Sequence, residues 1–593
     1  MCALVLERTL TSGAGNTAVG YTALDELTTG NYNTALGYEA LHQIDGGEEH
    51  MTAVGYQAGA SCDGSTTSTI IGASSSTNAA GVDNETVIGY GVTGAGGSNT
   101  ITLGNANVTA VYMASDSGAT VHCLDVKPTG GVLKENLLTN SGFDVWSNST
   151  LVEATSGAAP VLDGANAALV NNLVTNGGFD SATTGWTAGA SATLSSEGSG
   201  KTGNCLKILE NGGANPNAGI TVTTVVGKLY QFNCYVNSGG SEASFQVNIG
   251  DSGIGSYNNY DSETQEASAD WTSMVINVVF EATGTSTSIR LRQVAGSGSG
   301  TFVLFDSVTL YEVTPGCVAA DAKAMDGWWK TASAIDVLRE HDGTKTKDGS
   351  FYSCKITGNG LELGWSGGTS SNTEPTWLAK VQGRTLTFGV WAWADTASQT
   401  RIYFRDSVTG YTYSSYHSGG SGWEWIELTG NVASAATFAY VAIEGGTEAA
   451  YISQPMLVFG NSIGEGNYTR PQGEVVNCES FITTISNDSP AAADDKILNL
   501  EAISSGKIPK GCKSIYMSAQ ALNSSITSDQ GIQWGTSSAN ATSLRCNPVV
   551  NNVYQSESGM VECDSNGDIY QLVKEAGATM SGVYCHVTQV HLR

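Results

Sequence analysis

A chain of 593 residues with 40% hydrophobic side chains carries enough apolar material for several cores, about four domains by length. Glycine supplies 74 residues, charged side chains only 14%, and 26 Lys+Arg against 55 Asp+Glu leave a net charge of −29. Such acidity argues against nucleic acid and anionic membrane surfaces as partners and leaves uncharged, hydroxyl-rich ligands; no apolar run approaches the ~20 residues of a membrane-spanning helix. The start, Met1-Cys-Ala-Leu-Val-Leu-Glu-Arg8, has neither the basic region nor the apolar stretch of a secretion leader. Abundant Gly, Ser, Thr and Asn with only ten prolines predict an all-β chain. The twelve cysteines are scattered without a C-x-x-C pair and read as reduced, mostly buried side chains, and no zinc site is expected.

The first stretch repeats. Asn16-Thr-Ala-Val-Gly-Tyr21, Asn33-Thr-Ala-Leu-Gly-Tyr38 and Met51-Thr-Ala-Val-Gly-Tyr56 are followed by weaker copies, with glycine at 20, 37, 55, 72, 89 and 104. A period of about 17 residues with one short strand per copy predicts a β-solenoid over 1–126. Tyr21, Tyr38, Tyr56 and Tyr90 are expected to stack along it. So narrow a coil buries little by itself, so three chains around one axis, a homotrimer, are expected. Gly89-Tyr-Gly-Val-Thr-Gly94 matches a dinucleotide fingerprint, but it falls on the repeat and lacks a βαβ context. The repeats resemble trimeric adhesin heads and, more closely, the glycine-rich repeats of bacteriophage tail fibres. That resemblance implies a trimeric virion protein, assembled in the bacterial cytoplasm beside other tail proteins and meeting the host surface from outside.

After Lys127 the texture changes. Asn136-Leu-Leu-Thr-Asn-Ser-Gly-Phe-Asp144 is nearly repeated by Asn172-Leu-Val-Thr-Asn-Gly-Gly-Phe-Asp180. Strands are predicted at 205–209, 228–236, 244–249, 273–280 and 288–293, closing on Phe302–Tyr311. The second copy and this closing strand resemble jelly-roll carbohydrate-binding modules found beside cellulases and xylanases. The resemblance implies sugar binding and a structural Ca²⁺ with Asp180 and Asp306 as ligands; no other cofactor is expected. The first copy has too few residues before the second to make a domain. Residues 132–160 plus 317–475, ending on Tyr451–Val458, are therefore read as an outer jelly roll with the 172–313 module inserted; two tandem domains are the alternative. From 478 to 593 a C-terminal β-sandwich is expected, resembling terminal domains of phage tail proteins. In it Asp564-Ser-Asn-Gly-Asp568 reads as a hairpin turn rather than a calcium loop.

Gly364-Trp-Ser-Gly-Gly368 and Gly460-Asn-Ser-Ile-Gly464 imitate a nucleophile elbow, but no helical pattern follows either, and both read as loops. No enzyme is expected; a polysaccharide depolymerase is the rival, and a purely structural head or collar fibre a third reading. Sugar sites use aromatic platforms flanked by polar groups. The candidates are Trp329, the pairs Trp391/Trp393 and Trp423/Trp425, Tyr413, and Tyr257 and Tyr260 in the inserted module. Alternation puts each tryptophan pair on one face of its strand, either inside the sandwich or outside as a platform. The function these features imply is adhesion to host surface polysaccharide by many weak contacts.

Overall fold

The computed structural model describes residues 11–108, 135–154, 171–239, 244–250, 260–261, 265–272, 275–294, 300–318, 323–330, 335–347, 350–358, 361–367, 377–471, 473–490, 495–526, 530–574 and 580–592. The chain divides into two units, 1–124 and 125–593. The fold is all-β.

In the first unit six strands, β1 (Thr17–Val19), β2 (Thr34–Leu36), β3 (Thr52–Val54), β4 (Thr69–Ile71), β5 (Thr86–Ile88) and β6 (Ile101–Leu103), stack in parallel and in chain order. Register is copy on copy: Thr17, Thr34, Thr52, Thr69 and Thr86 align. The middle residue of each strand points inward, and Ala35, Ala53, Ile70 and Val87 are fully buried. Threonine and the aliphatic residue two places on share the outer face, which leaves Leu36, Ile71, Ile88 and Leu103 exposed. The recurring glycine is steric in origin. Gly20 and Gly37 have φ of +142° and +148°, and a Cβ on either would stand 2.1 Å from the carbonyl oxygen of the next coil's glycine. Tyr21, Tyr38 and Tyr56 stack at 5.4 and 5.3 Å; Ala73 interrupts the ladder before Tyr90, which is exposed.

The asparagine of the repeat stitches coils together. Asn33 donates to Glu48 O (2.7 Å) and accepts from Met51 N (2.9 Å), and Asn16 bonds Gly30 O and Asn33 N in the same way. Asn33→Ala should therefore cost about 2–3 kcal/mol by orphaning two buried backbone groups. The check is hydrogen exchange: residues 30–52 should lose protection in the variant.

In the second unit the first strand is β7 (Thr150–Glu153). Next come β8 (Thr187–Ala188), β9 (Ala192–Glu197), β10 (Cys205–Glu210), β11 (Asn217–Thr223), β12 (Leu229–Asn237) and β13 (Ser244–Gly250). The series continues with β14 (Tyr260–Asp261), β15 (Gln265–Glu266), β16 (Val275–Glu281), β17 (Ser286–Val294) and β18 (Phe302–Cys317). Past β18 lie β19 (Trp329–Lys330), β20 (Asp336–Glu340), β21 (Ser353–Thr357), β22 (Leu361–Gly367) and helix α1 (Trp377–Val381). Then follow β23 (Thr385–Ala394), β24 (Thr400–Asp406), β25 (Gly410–Tyr413), β26 (Gly422–Asn431), β27 (Ala439–Gly445) and β28 (Ala450–Phe459).

Two sandwiches emerge with the same plan. One has sheet β14–β13–β17–β11–β8 against β16–β12–β18–β10–β9; the other has β25–β24–β27–β22–β19 against β26–β23–β28–β21–β20. Each is closed by the asparagine of its opening motif. Asn172 Oδ1 accepts from Val174 N and Leu310 N, and Asn136 Oδ1 from Leu138 N and Leu457 N. Three residues before each clamped leucine, Ser307 and Gln454 take positive φ (54° and 52°), so both closing strands bulge at the same place. Leu138, Phe143 and Trp146 share a core with residues between Cys317 and Leu457, whereas Phe179 and Trp186 lie in the core of the other sandwich. The long β18 connects them: its first part pairs with β10 and β12, and Val313–Gly316 pair with Glu153–Thr150 of β7. One eleven-stranded sheet thereby runs through both sandwiches.

The last sandwich packs β29 (Val475–Asp488), β30 (Lys496–Leu498), helix α2 (Leu500–Ile503), β31 (Ser514–Leu522), β32 (Gly531–Gly535), β33 (Leu544–Cys546), β34 (Gln555–Glu562), β35 (Ile569–Lys574) and β36 (Gly582–His591). Its sheets are β29–β36–β31–β34 and β30–β35–β32–β33. The Asn566-Gly567 turn is not a hairpin, because it carries the chain from β34 in one sheet to β35 in the other. Asp564 Oδ1 caps it by accepting from Asn566 N and Asp568 N. Gly364–Gly367 of the first elbow-like motif lie within β22 rather than in a loop. All ten described cysteines are free thiols, eight of them buried.

Asp326 ties the parts of this unit together, accepting from Ser147 N, Ser147 Oγ and Glu479 N. Burial pushes its carboxyl up to about 6, against the three hydrogen bonds that favour the ion. The native state therefore holds this proton more tightly than the unfolded chain does. The group's contribution to stability is full below about pH 4 and is lost as pH rises through about 6. Asp326→Asn should flatten the pH dependence of denaturant unfolding between those values.

Candidate functional site

In the sheet β25–β24–β27–β22–β19, Ile402, Phe404, Val441 and Ile443 point into the core. Alternation turns Arg401, Tyr403, Arg405, Tyr440, Ala442 and Glu444 to the outer face. Register aligns Tyr413, Tyr403, Ala442, Gly364 and Trp329 in one row across all five strands. Small residues at the centre make room there: a Cβ at Gly364 would stand 2.4 Å from Trp329 Cζ2, so the indole lies against bare backbone. Trp329 meets Tyr440 edge-on at 5.4 Å, and Tyr403 contacts both Tyr411 (5.4 Å) and Tyr413 (5.3 Å). On the edge strand Tyr411 and Tyr413 stack at 5.6 Å with planes 4° apart, and they are 45% and 41% exposed. The Arg401 guanidinium lies over Tyr413 and Tyr416, and that of Arg405 over Tyr411. Tyr403 and Tyr440 are themselves buried beneath their neighbours, so Tyr411 and Tyr413 are the open face of this aromatic stack, rimmed by charge and hydroxyls, the chemistry that stacks on sugar rings and bonds their hydroxyls.

The four other candidate tryptophans lie on the opposite side of this sandwich. Trp391 pairs with Trp425 and Trp393 with Trp423, on the outer face of β26–β23–β28, while Val390, Ala392 and Ala394 fill the interior. They do not pack the core. Nor are Trp391 and Trp393 open: Lys347 and Lys345 sit over their rings, leaving them 7% and 5% exposed. At the edge of this face a cleft of about 430 Å³ is lined by His417, Trp423, Glu424, Trp425 and Glu465.

In the other sandwich Tyr260 stands opposite Ile249 and packs against the core rather than presenting a free ring. Tyr257 lies outside the described residues. The outer face there is polar: Arg290 Nε donates to Asn248 Oδ1 and an Arg292 guanidinium N–H to Gln246 Oε1, both 2.8 Å.

Asp180 and Asp306 approach the same turn. A Cβ at Gly203 would stand 3.1 Å from Asp180 Oδ1, and one at Gly200 2.8 Å from Asp306 Oδ2. Burial, helped by the charge of Asp180, pushes Asp306 up to about 6, while N–H groups of Thr202, Ser307 and Lys201 oppose the rise. Two acids held together at this cost suit a cation, to which they would supply two of the six to eight oxygens calcium takes. Among the described residues Asp45, Glu48 and Asp63 also converge in the solenoid, but Glu48 already accepts from Gly46 N and Gly64 N.

Of the sequence candidates, the structure brings together Trp391 with Trp425 and Trp393 with Trp423, and sets Trp329 and Tyr413 at opposite edges of one outer sheet face. Sequence reasoning passed over Tyr403, Tyr440, Arg401 and Arg405, although Arg401-Ile-Tyr-Phe-Arg405 carries the alternating signal of a strand with one polar, outward face.

Residues 171–297 match the family described as carbohydrate binding domain (CBM_4_9). This match supports carbohydrate binding by the chain. Among solved structures, the N-terminal CBM22-1–CBM22-2 tandem domain of Xyn10C from Paenibacillus barcinonensis is similar at 14% identity. That likeness covers 49% of this chain and 99% of that one, with a TM-score of 0.20. TmCBM61, solved in complex with β-1,4-galactotriose, is 11% identical over 24% of this chain and 99% of that chain (TM-score 0.19). The K3 cleaved adhesin domain of Lys-gingipain from Porphyromonas gingivalis is 10% identical over 23% of this chain and 99% of that chain (TM-score 0.19). No curated protein matches the chain.

Proposed function

We propose that this chain is a polysaccharide-binding adhesin, the subunit of a homotrimeric fibre of the bacteriophage tail type, which holds host surface glycans without cleaving them. The observation that carries the reading is the stacked, exposed pair Tyr411 and Tyr413 on the edge of an outer sheet face, backed by the buried ring of Tyr403. The 171–297 match places a sugar-binding family in the neighbouring module, and the two modules share one strand plan. On this reading 172–313 is inserted into the module made by 132–160 and 317–475, because β7 leaves and β18 returns as paired neighbours. Asp180 and Asp306 would hold a structural calcium. Trimerisation is favoured by the outward ladder of Leu36, Ile71, Ile88 and Leu103, which a second and third copy would cover. Other tail proteins would anchor the fibre to the virion, and three copies would multiply weak sites into avidity.

The test is a polysaccharide array probed with the full chain, wild type and Tyr411→Ala/Tyr413→Ala. Wild type should bind a subset of glycans, and the double variant should lose about tenfold or more, since each stacked aromatic ring is worth on the order of 1 kcal/mol. Equal binding by both proteins would refute the platform. Release of reducing ends from a bound polysaccharide would favour the depolymerase reading instead.

A further inference from the structure

The tyrosine platform differs from a neutral sugar site in one respect, and the difference names the ligand. Two arginines stand on it, and only one is neutralised. Arg401 gives Nε and a terminal nitrogen to Glu444 at 3.0 and 2.9 Å, and Tyr416 Oη donates to the other Glu444 oxygen. Arg405 stands two residues along the same strand, on the same face. Its single side-chain hydrogen bond is an N–H donated to Tyr440 Oη at 2.8 Å. Among the described residues no carboxylate lies within ion-pair distance of it. The nearby carboxylate of Asp406 is turned to the strand end, where it accepts from Val408 N, Thr409 N and Ala433 N. The guanidinium is instead walled by rings, 4.4 Å from Tyr411, 5.5 Å from Phe438 and 5.7 Å from Tyr440.

A guanidinium has five N–H donors in a planar fork, and four of these remain for a ligand here. Its flanks hold it in place, so little side-chain freedom is lost when an anion arrives. In a chain of net charge −29 this is an isolated positive site on an aromatic floor.

We propose that the platform takes an acidic saccharide, with a uronic acid carboxylate received bidentately by Arg405 while the neighbouring sugar ring stacks on Tyr411 and Tyr413. The proposal rests on the platform reading above and narrows it. It also revises the expectation, drawn from the overall acidity, that ligands are uncharged. The repulsive field of the whole chain is long-ranged and screened by salt, whereas a bidentate contact acts at hydrogen-bond distance.

The experiment is calorimetric titration of the full chain with three probes: an oligogalacturonate, the same oligosaccharide with its carboxyls reduced to alcohols, and a sulfated neutral oligosaccharide. Wild type should bind the uronate roughly tenfold more tightly than its reduced form. Arg405→Gln should erase that preference, and an unchanged denaturant-unfolding midpoint shows that the variant is folded. Arg405→Lys, which keeps the charge but not the fork, should fall between. Equal affinity of wild type for the uronate and its reduced form, or an unchanged preference in Arg405→Gln, overturns the proposal and leaves the platform standing. Tighter binding of the sulfated probe than of the uronate overturns the choice of carboxylate. Binding of the reduced form unaffected by Tyr411→Ala/Tyr413→Ala overturns the platform itself.

Discussion

Arg339→Ala is expected to destabilise the second unit by about 3–5 kcal/mol, the cost of stranding one member of a buried ion pair. Arg339 and Glu501 are 1% and 3% exposed and meet at 2.6 Å. Arg339 also donates to Gly506 O, and its guanidinium lies over the Tyr352 ring; Tyr352 Oη in turn donates to the same Glu501 oxygen. The arginine comes from β20 of a jelly roll and the glutamate from α2 of the C-terminal sandwich, so the pair is a bolt between them. Lys510 adds a third connection, reaching Glu281 on β16 and Glu501. Without Arg339 the glutamate retains only Lys510 at 3.7 Å and the Tyr352 hydroxyl. Denaturant unfolding should show the full loss, and limited proteolysis should cut sooner between 470 and 510. The double variant Arg339→Met/Glu501→Leu should recover most of the stability, because apolar isosteres remove both desolvation penalties. A small effect of Arg339→Ala would mean that the two sandwiches are not held through this pair.

Gly37→Val should disrupt the solenoid severely. The new Cβ would lie 2.1 Å from Gly55 O and 2.6 Å from its carbon, in a backbone with φ of +148° that L side chains rarely adopt. Neither neighbour is a flexible side chain, so the coils must separate and the β2–β3 bonds weaken. A cost on the order of 3–4 kcal/mol follows from clash and strain together. Gly47→Ala is the control: its φ is +84°, but nothing lies within 4 Å of the added atom. It should cost only about 1 kcal/mol of backbone strain. Hydrogen exchange over 17–88 separates the cases, since protection should collapse in Gly37→Val and persist in Gly47→Ala.

Much of the fold was legible because strand patterns are local. The predicted strands 205–209, 244–249 and 439–444 are found at Cys205–Glu210, Ser244–Gly250 and Ala439–Gly445. The closing strand expected at Phe302–Tyr311 runs on to Cys317 because its second half pairs with β7 and β20 of the other sandwich, a long-range contact without a local signal. The Asn566-Gly567 turn has hairpin chemistry, yet its flanking strands are claimed by different sheets. Local preference fixes a turn's shape but not the partners of the strands beside it.

The candidate site was legible only in part, for the same reason. Alternation correctly grouped Trp391 with Trp393 and Trp423 with Trp425. Which face they occupy, and that Lys345 and Lys347 would cover two of them, depends on segments about 45 residues away. Trp329 and Tyr413 lie 84 residues apart and share one row, at its two ends, only through the pairing of five strands. Tyr260 is expected as a sugar contact, but its short strand pairs with β13 and its ring packs against the core.

The central claim is that sugar rings sit on the outer face of β25–β24–β27–β22–β19. A crystal structure of the full chain with the tightest-binding oligosaccharide tests it most directly. The account predicts a ring stacked on Tyr411 and Tyr413, with its acidic substituent within hydrogen-bond distance of Arg405. An oligosaccharide seated elsewhere, at the Trp423–Trp425 cleft for example, with this tyrosine face bare, would contradict it.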